Sequence, residues 1–403
     1  MSTAKNLSAL ATHQPPVSFD TFRQCLVIAG ECPWGSDPYP ASEREWTDID
    51  DYRLEVWLDQ EHGLEPQIGQ VRRAIEIYAD DRKVDTLVNE LVRYGERWDG
   101  VPRLETLCEG YLGAPPRKDQ PREYLAMIGR RWMISAAVRG LSTDATQVDS
   151  VLVLEGPKGI GKTSFARIIG GEHYSNSAIA IGSKDGYLTI LGTWIQELGE
   201  LASIGRARLE AVKDYLTSME DKYRVPYKAR TTRSVRRLAF IATTNDAEYL
   251  IEGDSRRWLP VYCEGPILKE QLIEDRQQLI GEAVTLAQQG VQHWITDGAE
   301  QDMLDRAVEL RRCQDPWEQS VEDYLEQSSA DFHATDELLG IALGIGERSR
   351  KPYDNHRLSK IMQGLGWVPT RKRIACKNRG AQSLRNIRGY RRAEPTAADC
   401  PFM

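Results

Sequence analysis

The chain has 403 residues, of which 28% are charged and 41% hydrophobic, and its formal net charge is -8. A chain of this length is expected to fold as two or three domains with a substantial core. The negative balance argues against a protein coated in basic residues, although a local basic patch is compatible with it. The sequence has no apolar run of 18 residues, which predicts that no segment spans a membrane.

Seven cysteines are scattered along the chain without a CxxC pair. This usage gives no disulfide or zinc framework and is typical of a reducing compartment, so we expect a cytoplasmic protein.

The N-terminal third favours helices after an irregular start. Residues 1 to about 45 are rich in Pro, Gly, Ser and acidic residues and predict a loop or extended arm. Residues 50 to 95 carry helical spacing of apolar residues, so a helical N-terminal domain over 1–113 is expected. The stretch "APPRKDQP" (114–121) resembles a linker, and its last proline suits the first turn of the helix that follows.

From residue 151 to 262, short apolar runs alternate with helical segments, which predicts an α/β fold. We expect the core to cover 114–265. A helical connector over 266–314 and a small basic domain over 315–403 follow it.

One segment matches the phosphate-binding pattern GxxxxGK[ST], in a strand–loop–helix context. Its glycines let successive N–H groups point at phosphate oxygens, and the helix that follows adds its positive end. Lys162 would reach the β- and γ-phosphates of ATP, and the Thr163 hydroxyl would bind Mg²⁺. The residues predicted to contact the nucleotide are Gly156, Pro157, Lys158, Gly159, Ile160, Gly161, Lys162, Thr163 and Ser164.

Further polar residues follow later apolar runs. Glu197 and Glu200 are candidates to bind the metal, with Glu197 as the ligand, and to orient the attacking water, with the division of roles left open. Asn245 ends the run "LAFIATTN" and would lie near the γ-phosphate. Arg256 and Arg257 precede the next run, where an arginine could reach the ATP of a neighbouring subunit.

The segment 222–237 joins basic residues with tyrosines, a composition suited to a nucleic-acid backbone and its bases. The DNA contacts predicted here are Lys222, Arg224, Lys228, Arg230 and Arg233. A solvated strand pair is the alternative, and Arg236 and Arg237 could instead contact the nucleotide.

The C-terminal region is a second basic segment. Residues 348–392 contain 14 Lys or Arg and one acidic residue, Asp354. The pattern reads as helix, helix and basic hairpin, which favours a winged-helix-like DNA-binding domain that uses Arg371, Lys372 and Arg373. A basic tail that attracts partners nonspecifically is the alternative.

Several strings together resemble the virulence-associated protein E family, P-loop ATPases of phages and bacterial mobile elements that are similar to superfamily 3 helicases. They are "WDGVPRL", "VLVLEGPKGIGKTS", "WIQELGEL", "FIATTN" and "SRRWLPV". The resemblance implies an AAA+-like core with a Walker A loop at 156–163, Walker B at Glu197 and Glu200, a sensor at Asn245 and an arginine finger at Arg256 or Arg257. It also implies that Lys213 lies ahead of a DNA-facing segment, and that the protein is a homo-oligomer, by family pattern a hexamer, in a bacterial host cell.

The function expected is therefore ATP-dependent DNA unwinding or translocation in the replication of a phage or mobile element. Single-stranded DNA would run through the ring, and duplex DNA could bind the C-terminal domain. A DNA-binding ATPase switch or origin-binding initiator is the alternative, and a small-molecule kinase is a third class.

Overall fold

The computed structural model describes residues 3–35, 43–179, 184–199, 215–223, 231–250, 257–296, 298–312, 315–351, 353–378 and 381–392. The chain forms two compact units, residues 1–312 and residues 313–403. No helix of the described residues is long and apolar enough to cross a membrane.

The N-terminal part of the first unit surrounds a small core of its own. Its helices are α1 (Thr3–His13), α2 (Asp48–His62), α3 (Ile68–Asp80), α4 (Thr86–Glu96) and α5 (Leu107–Gly110). Its strands are β1 (Val17–Asp20), β2 (Cys25–Ile28), β3 (Arg44–Glu45) and β4 (Lys83–Val84), in the sheet order β3-β2-β1-β4.

Over residues 3–35 and 43–45, the structure differs from the expected loop or arm. Leu10 in α1 and Val17 in β1 are fully buried with the core residues of α2 and α3. Burial of such apolar side chains stabilises elements whose local sequence is rich in turn formers. The N-terminal region is therefore mainly helical but also contains a four-stranded sheet.

The centre of the first unit is a five-stranded sheet with helices packed on it. Its strands are β5 (Val151–Glu155), β6 (Tyr174–Ser175), β7 (Ile195–Leu198), β10 (Ala239–Thr243) and β11 (Trp258–Tyr262). The order is β11-β5-β10-β7-β6, and every pair is parallel. Strands β5 and β10 are buried along their whole length, as expected of a parallel sheet covered on both faces. The expected α/β class is confirmed, and the structure shows that its sheet is parallel.

The helices of this part are α6 (Arg122–Leu141), α7 (Lys162–Gly170), α8 (Lys184–Leu188), α9 (Lys269–Gln288) and α10 (Ala299–Glu309). Strands β8 (Glu220–Tyr223) and β9 (Thr232–Val235) form a separate antiparallel pair. The core on one sheet face joins α6, α7 and α9, with Trp132 and Phe165 among its fully buried side chains.

The second unit contains α11 (Pro316–Glu326), β12 (Phe332–Ala334), α12 (Thr335–Glu337) with a π-turn over Leu338–Ala342, α13 (Asp354–Gly364), β13 (Trp367–Asn378) and β14 (Ala381–Arg392). Its antiparallel sheet has the order β12-β14-β13. Leu358 and Met362 on α13 are fully buried in its core. An ion pair from Arg357 to Asp315 at 2.5 Å, with the guanidinium 3.9 Å from the Trp317 ring, fixes α13 against the start of α11.

Candidate functional site

The segment 156–161 is a tight turn between the carboxyl end of β5 and the first residue of α7. Gly156, Gly159 and Gly161 have φ values of 129°, 88° and 106°, which side chains rarely adopt. A Cβ at Gly156 would also overlap the carbonyl oxygen of Cys263. The sequence therefore places glycine where the backbone of this turn disfavours residues with a side chain.

Lys162 opens α7 and folds back over the turn. Its ammonium donates hydrogen bonds to the carbonyl oxygens of Gly156 at 2.6 Å and Pro157 at 2.9 Å, and to Asn245 Oδ1 at 2.9 Å. The side chain is buried, and this burial lowers the pKa of Lys162 from its usual value. Of the other predicted loop residues, Pro157 and Lys158 are exposed, whereas Ile160, Thr163 and Ser164 are half-buried.

The carboxylate of Glu197, on β7, is the acidic group beside this turn. It is 4% exposed and accepts three hydrogen bonds from hydroxyl groups. Thr163 and Thr243 donate to Oε1 at 2.7 and 3.0 Å, and Tyr174 donates to Oε2 at 2.5 Å. A buried carboxylate needs such donors because it has left water.

Sequence reasoning missed Tyr174 in this arrangement. Burial, with the hydrogen bond to Glu197, raises the pKa of Tyr174 well above its usual value, so its hydroxyl keeps its proton. Two hydroxyls on Oε1 and one on Oε2 fix the rotation of the Glu197 carboxylate. No motif in the sequence indicated Tyr174.

Asn245 follows β10, the strand between β5 and β7. The backbone N–H of Thr244 donates to Leu154 O at 3.1 Å, so the end of β10 is bonded to the strand that leads into the turn. Parallel strands place their carboxyl ends at one sheet edge, and crevices there are the usual ligand sites of α/β proteins. Lys162, Thr163, Glu197 and Asn245 thus meet at this edge.

A buried ion-pair network lies directly under the turn. Glu155 accepts hydrogen bonds from the Tyr249 hydroxyl at 2.6 Å and from Arg311 Nε at 2.8 Å. Arg311 also lies 3.2 Å from Asp119. This network joins the base of the turn to the segment after Asn245, and no motif indicated it in the sequence.

Arg257 lies at the other end of the sheet. It precedes β11, whose Trp258 pairs with Val151 and whose Tyr262 pairs with Glu155. The five-residue step from Arg257 to Tyr262 spans roughly 16 Å in a strand. Arg257 Nε is 3.6 Å from Asp149 Oδ2. The arginine is therefore remote from the turn of its own chain.

The strand pair β8–β9 carries part of the basic segment. Lys222 and Arg233 are direct cross-strand partners, and the Arg233 side chain is exposed. At the base of the pair, the buried Arg236 forms an ion pair with Asp221 and lies 3.8 Å over the Tyr215 ring.

Contact with the nucleotide is the alternative role of Arg236 and Arg237. The structure does not favour this role, because Arg236 is paired with Asp221 and Arg237 is paired with Asp85 at 2.6 Å. Arg139 supports the same region from α6 by donating to Val148 O at 2.9 Å and to Arg236 O at 3.2 Å.

In the second unit, Arg371, Lys372 and Arg373 are exposed on β13. Arg371 is the cross-strand partner of Arg388 on β14. A groove of about 900 Å³ separates this hairpin from α13. Its polar lining includes Asn355, His356, Ser359, Thr370, Arg371, Asn386 and Arg388.

Several predicted residues lie outside the described part of the chain. They are Glu200, Lys213, Arg224, Lys228, Arg230 and Arg256. The structure describes the backbone of Lys222 but not its side chain.

The fold and this site define a mixed α/β protein in which basic, acidic and amide groups converge at the carboxyl edge of a parallel sheet. A family model described as the virulence-associated protein E-like domain matches residues 91–312. Since this is more than half of the chain, the protein belongs to that family, which confirms the resemblance of the motifs.

Solved structures titled as the apo C-terminal region of NrS-1 are similar to this chain. One has 12% sequence identity to this chain and a TM-score of 0.48, and the aligned region covers 97% of this chain and 99% of the NrS-1 chain. Another has 11% identity and a TM-score of 0.45, and the aligned region covers 98% of this chain and 100% of the NrS-1 chain. No curated protein matches the chain.

Proposed function

We propose that this protein is an ATP-dependent DNA helicase or translocase that acts in the replication of a phage or mobile element. The observation that carries the proposal is the convergence of Lys162, Thr163, Glu197 and Asn245 on the turn after β5. Family membership supports the same assignment. In this proposal, the segment 156–163 is the Walker A loop of a P-loop ATPase core.

The amide groups of the loop and the positive end of α7 would hold the phosphates. The Lys162 ammonium, now bonded to loop carbonyls and Asn245, would turn to the β- and γ-phosphate oxygens. Asn245 would then be free to contact the γ-phosphate or the attacking water. Lys162 would exchange its present hydrogen bonds for bonds to phosphate with only a local movement, because its three acceptors are the carbonyl oxygens of Gly156 and Pro157 and the side chain of Asn245.

The oxygens of Thr163 and Glu197 fit Mg²⁺. Both are hard ligands, and Mg²⁺ is usually held by one or two protein oxygens together with phosphates and water. Among the described residues, no cluster of three His, Cys, Asp or Glu offers a complete protein cage. Bound Mg²⁺ would neutralise charge on the phosphates. Glu197 is held for this role by Tyr174 and Thr243, and Glu200 remains the proposed residue that orients water.

Arg257 suggests why an oligomer would be needed. Its guanidinium is at the amino end of β11, whereas the phosphate loop follows the carboxyl end of β5. An arginine finger at Arg256 or Arg257 would therefore act on the nucleotide of a neighbouring copy, as in a ring. We propose a homo-oligomer, with six copies by the family pattern.

The DNA would contact two regions. The exposed Arg233 and its partner Lys222 place cationic residues on the β8–β9 pair, where a single strand could be followed through its phosphates. The element order of the second unit, with the helices α11, α12 and α13 before a long basic hairpin, is typical of a winged helix. Its groove suits duplex DNA, with Asn355 and Ser359 facing base edges.

That second unit favours one alternative, a DNA-binding ATPase switch or origin-binding initiator without unwinding activity. ATP hydrolysis measured with and without single-stranded DNA separates the two. Strong stimulation of ATP hydrolysis by single-stranded DNA supports the helicase or translocase. A hydrolysis rate that is unchanged by single-stranded DNA but raised by duplex DNA supports the switch or initiator. Phosphate transfer to a metabolite would instead identify a small-molecule kinase.

A further inference from the structure

A second lysine lies beside the phosphate loop, and neither the motifs nor the family match assigns it a role. Lys269 is the first residue of α9, more than 100 residues after the loop. A Cβ built on Gly161 would lie 3.0 Å from Lys269 Cε and 3.9 Å from its Nζ. The side chain therefore runs directly over the last glycine of the loop.

The backbone before Lys269 is bonded to both ends of the loop. The N–H of Cys263 donates to Glu155 O at 2.9 Å, and that of Ile267 donates to Ile160 O at 2.9 Å. The Ile267 side chain also contacts the Gly161 position, at 3.4 Å. Lys269 is thus held at the loop by main-chain hydrogen bonds.

The two lysines at the loop differ in their contacts. The Lys162 ammonium donates to three oxygens, whereas the exposed Lys269 ammonium has no hydrogen bond or ion pair with any of the described residues. Lys269 also lies in the first turn of a 20-residue helix, where a cation is unfavourable. Glu270 next to it offsets part of that charge without pairing with it. An anion bound over the loop would neutralise the Lys269 charge at this helix end, so the lysine would then be favourable there.

We propose that Lys269 binds a phosphate oxygen of the nucleotide from the side of the loop opposite to Asn245. This inference rests on the proposed function, because it takes the loop to be the ATP site. Lys269 would then be a nucleotide-binding residue. Because Lys269 is the first residue of α9, nucleotide binding would change the position of α9 against the helices that pack on it. Helix α9 packs directly on α4, α6 and α7, so a shift of α9 on nucleotide binding would move it against these helices.

The test is the affinity of the full chain for ATP, ADP and adenosine, measured by calorimetry for the wild type and for Lys269→Gln, Lys269→Arg and Lys162→Ala. Lys5→Gln is the control, since Lys5 is an exposed lysine of α1. We expect Lys269→Gln to weaken ATP and ADP binding about tenfold, in the range for hydrogen bonds to charged groups. Lys269→Arg should retain most of the affinity, and any binding of adenosine should not change.

Thermal unfolding without nucleotide adds an independent readout. Lys269→Gln removes an unfavourable charge from a helix N-terminus, so its midpoint should be equal to or above that of the wild type. ATP affinity of Lys269→Gln within about twofold of the wild type, with Lys162→Ala impaired, would overturn the role of Lys269 alone. If the wild type does not bind ATP, or Lys162→Ala binds it equally well, the proposed function fails as well.

Discussion

The Lys162 ammonium donates a 2.9 Å hydrogen bond to the side-chain oxygen of Asn245, which joins the loop after β5 to the end of β10. The two residues are 83 positions apart, and they follow the neighbouring parallel strands β5 and β10. In the proposed ATPase this amide would lie beside the transferred phosphate, and that role of Asn245 can be measured.

Replacing Asn245 by alanine should lower the kcat of ATP hydrolysis about 100-fold, the usual effect of removing one prearranged polar group. The Kd for ATP should change by less than about fivefold, because the loop amides and Lys162 remain. Steady-state hydrolysis and equilibrium binding measure the two constants. Glu248→Ala is the matched control, since Glu248 is exposed on the same segment. A weaker affinity with unchanged kcat would refute the sensor role.

Tyr174→Phe should raise the Mg²⁺ concentration needed for half-maximal hydrolysis severalfold. The change removes the only donor that the described residues give to Glu197 Oε2, so the carboxylate can rotate away from the Thr163 side. Hydrolysis at saturating Mg²⁺ should recover most of the wild-type rate. Tyr262→Phe, a change on β11 of the same sheet, serves as the control. An unchanged Mg²⁺ dependence would show that Tyr174 does not position Glu197.

Arg311→Leu should destabilise the first unit by about 3–5 kcal/mol, because it leaves the buried Glu155 carboxylate without its cation. Arg312→Leu is the control one residue along, where the partner Glu309 is 69% exposed. That change should cost about 0–1 kcal/mol. Urea unfolding gives both values. Equal effects of the two changes would contradict the assignment of the Glu155 network as the support of the loop.

The double change Arg371→Ala and Arg388→Ala should weaken duplex DNA binding and reduce the slope of log K against log salt by about 2, since two phosphates are no longer neutralised. The two residues are cross-strand partners on the groove. Fluorescence anisotropy at several salt concentrations gives the slope. Arg348→Ala, on an exposed residue of the same unit, should have a smaller effect. An unchanged slope would exclude the groove as a phosphate-binding surface.

Much of the central site could be predicted because it depends on local pattern. The glycines at 156, 159 and 161 are needed for positive φ, and the apolar run before them is a buried strand. The alternation of strands and helices then places Glu197 and Asn245 at the same edge, since parallel strands share their carboxyl ends.

The rest depends on contacts between distant segments, which no local pattern records. Tyr174 on Glu197, Arg311 on Glu155 and Lys269 over Gly161 each join residues 23 to 156 positions apart. The sheet in the N-terminal region was missed for a related reason. Its strands are two to four residues long, and burial with α1 and α3 stabilises them more than their own composition does.

In the proposed function, hydrolysis of the ATP held by Lys162 moves the protein along DNA. Strand separation of a forked duplex in the presence of ATP and Mg²⁺ is the most direct test. The wild type should separate the strands, and Lys162→Ala should separate none while keeping the unfolding midpoint within a few degrees. Equal strand separation by Lys162→Ala and the wild type would contradict the claim.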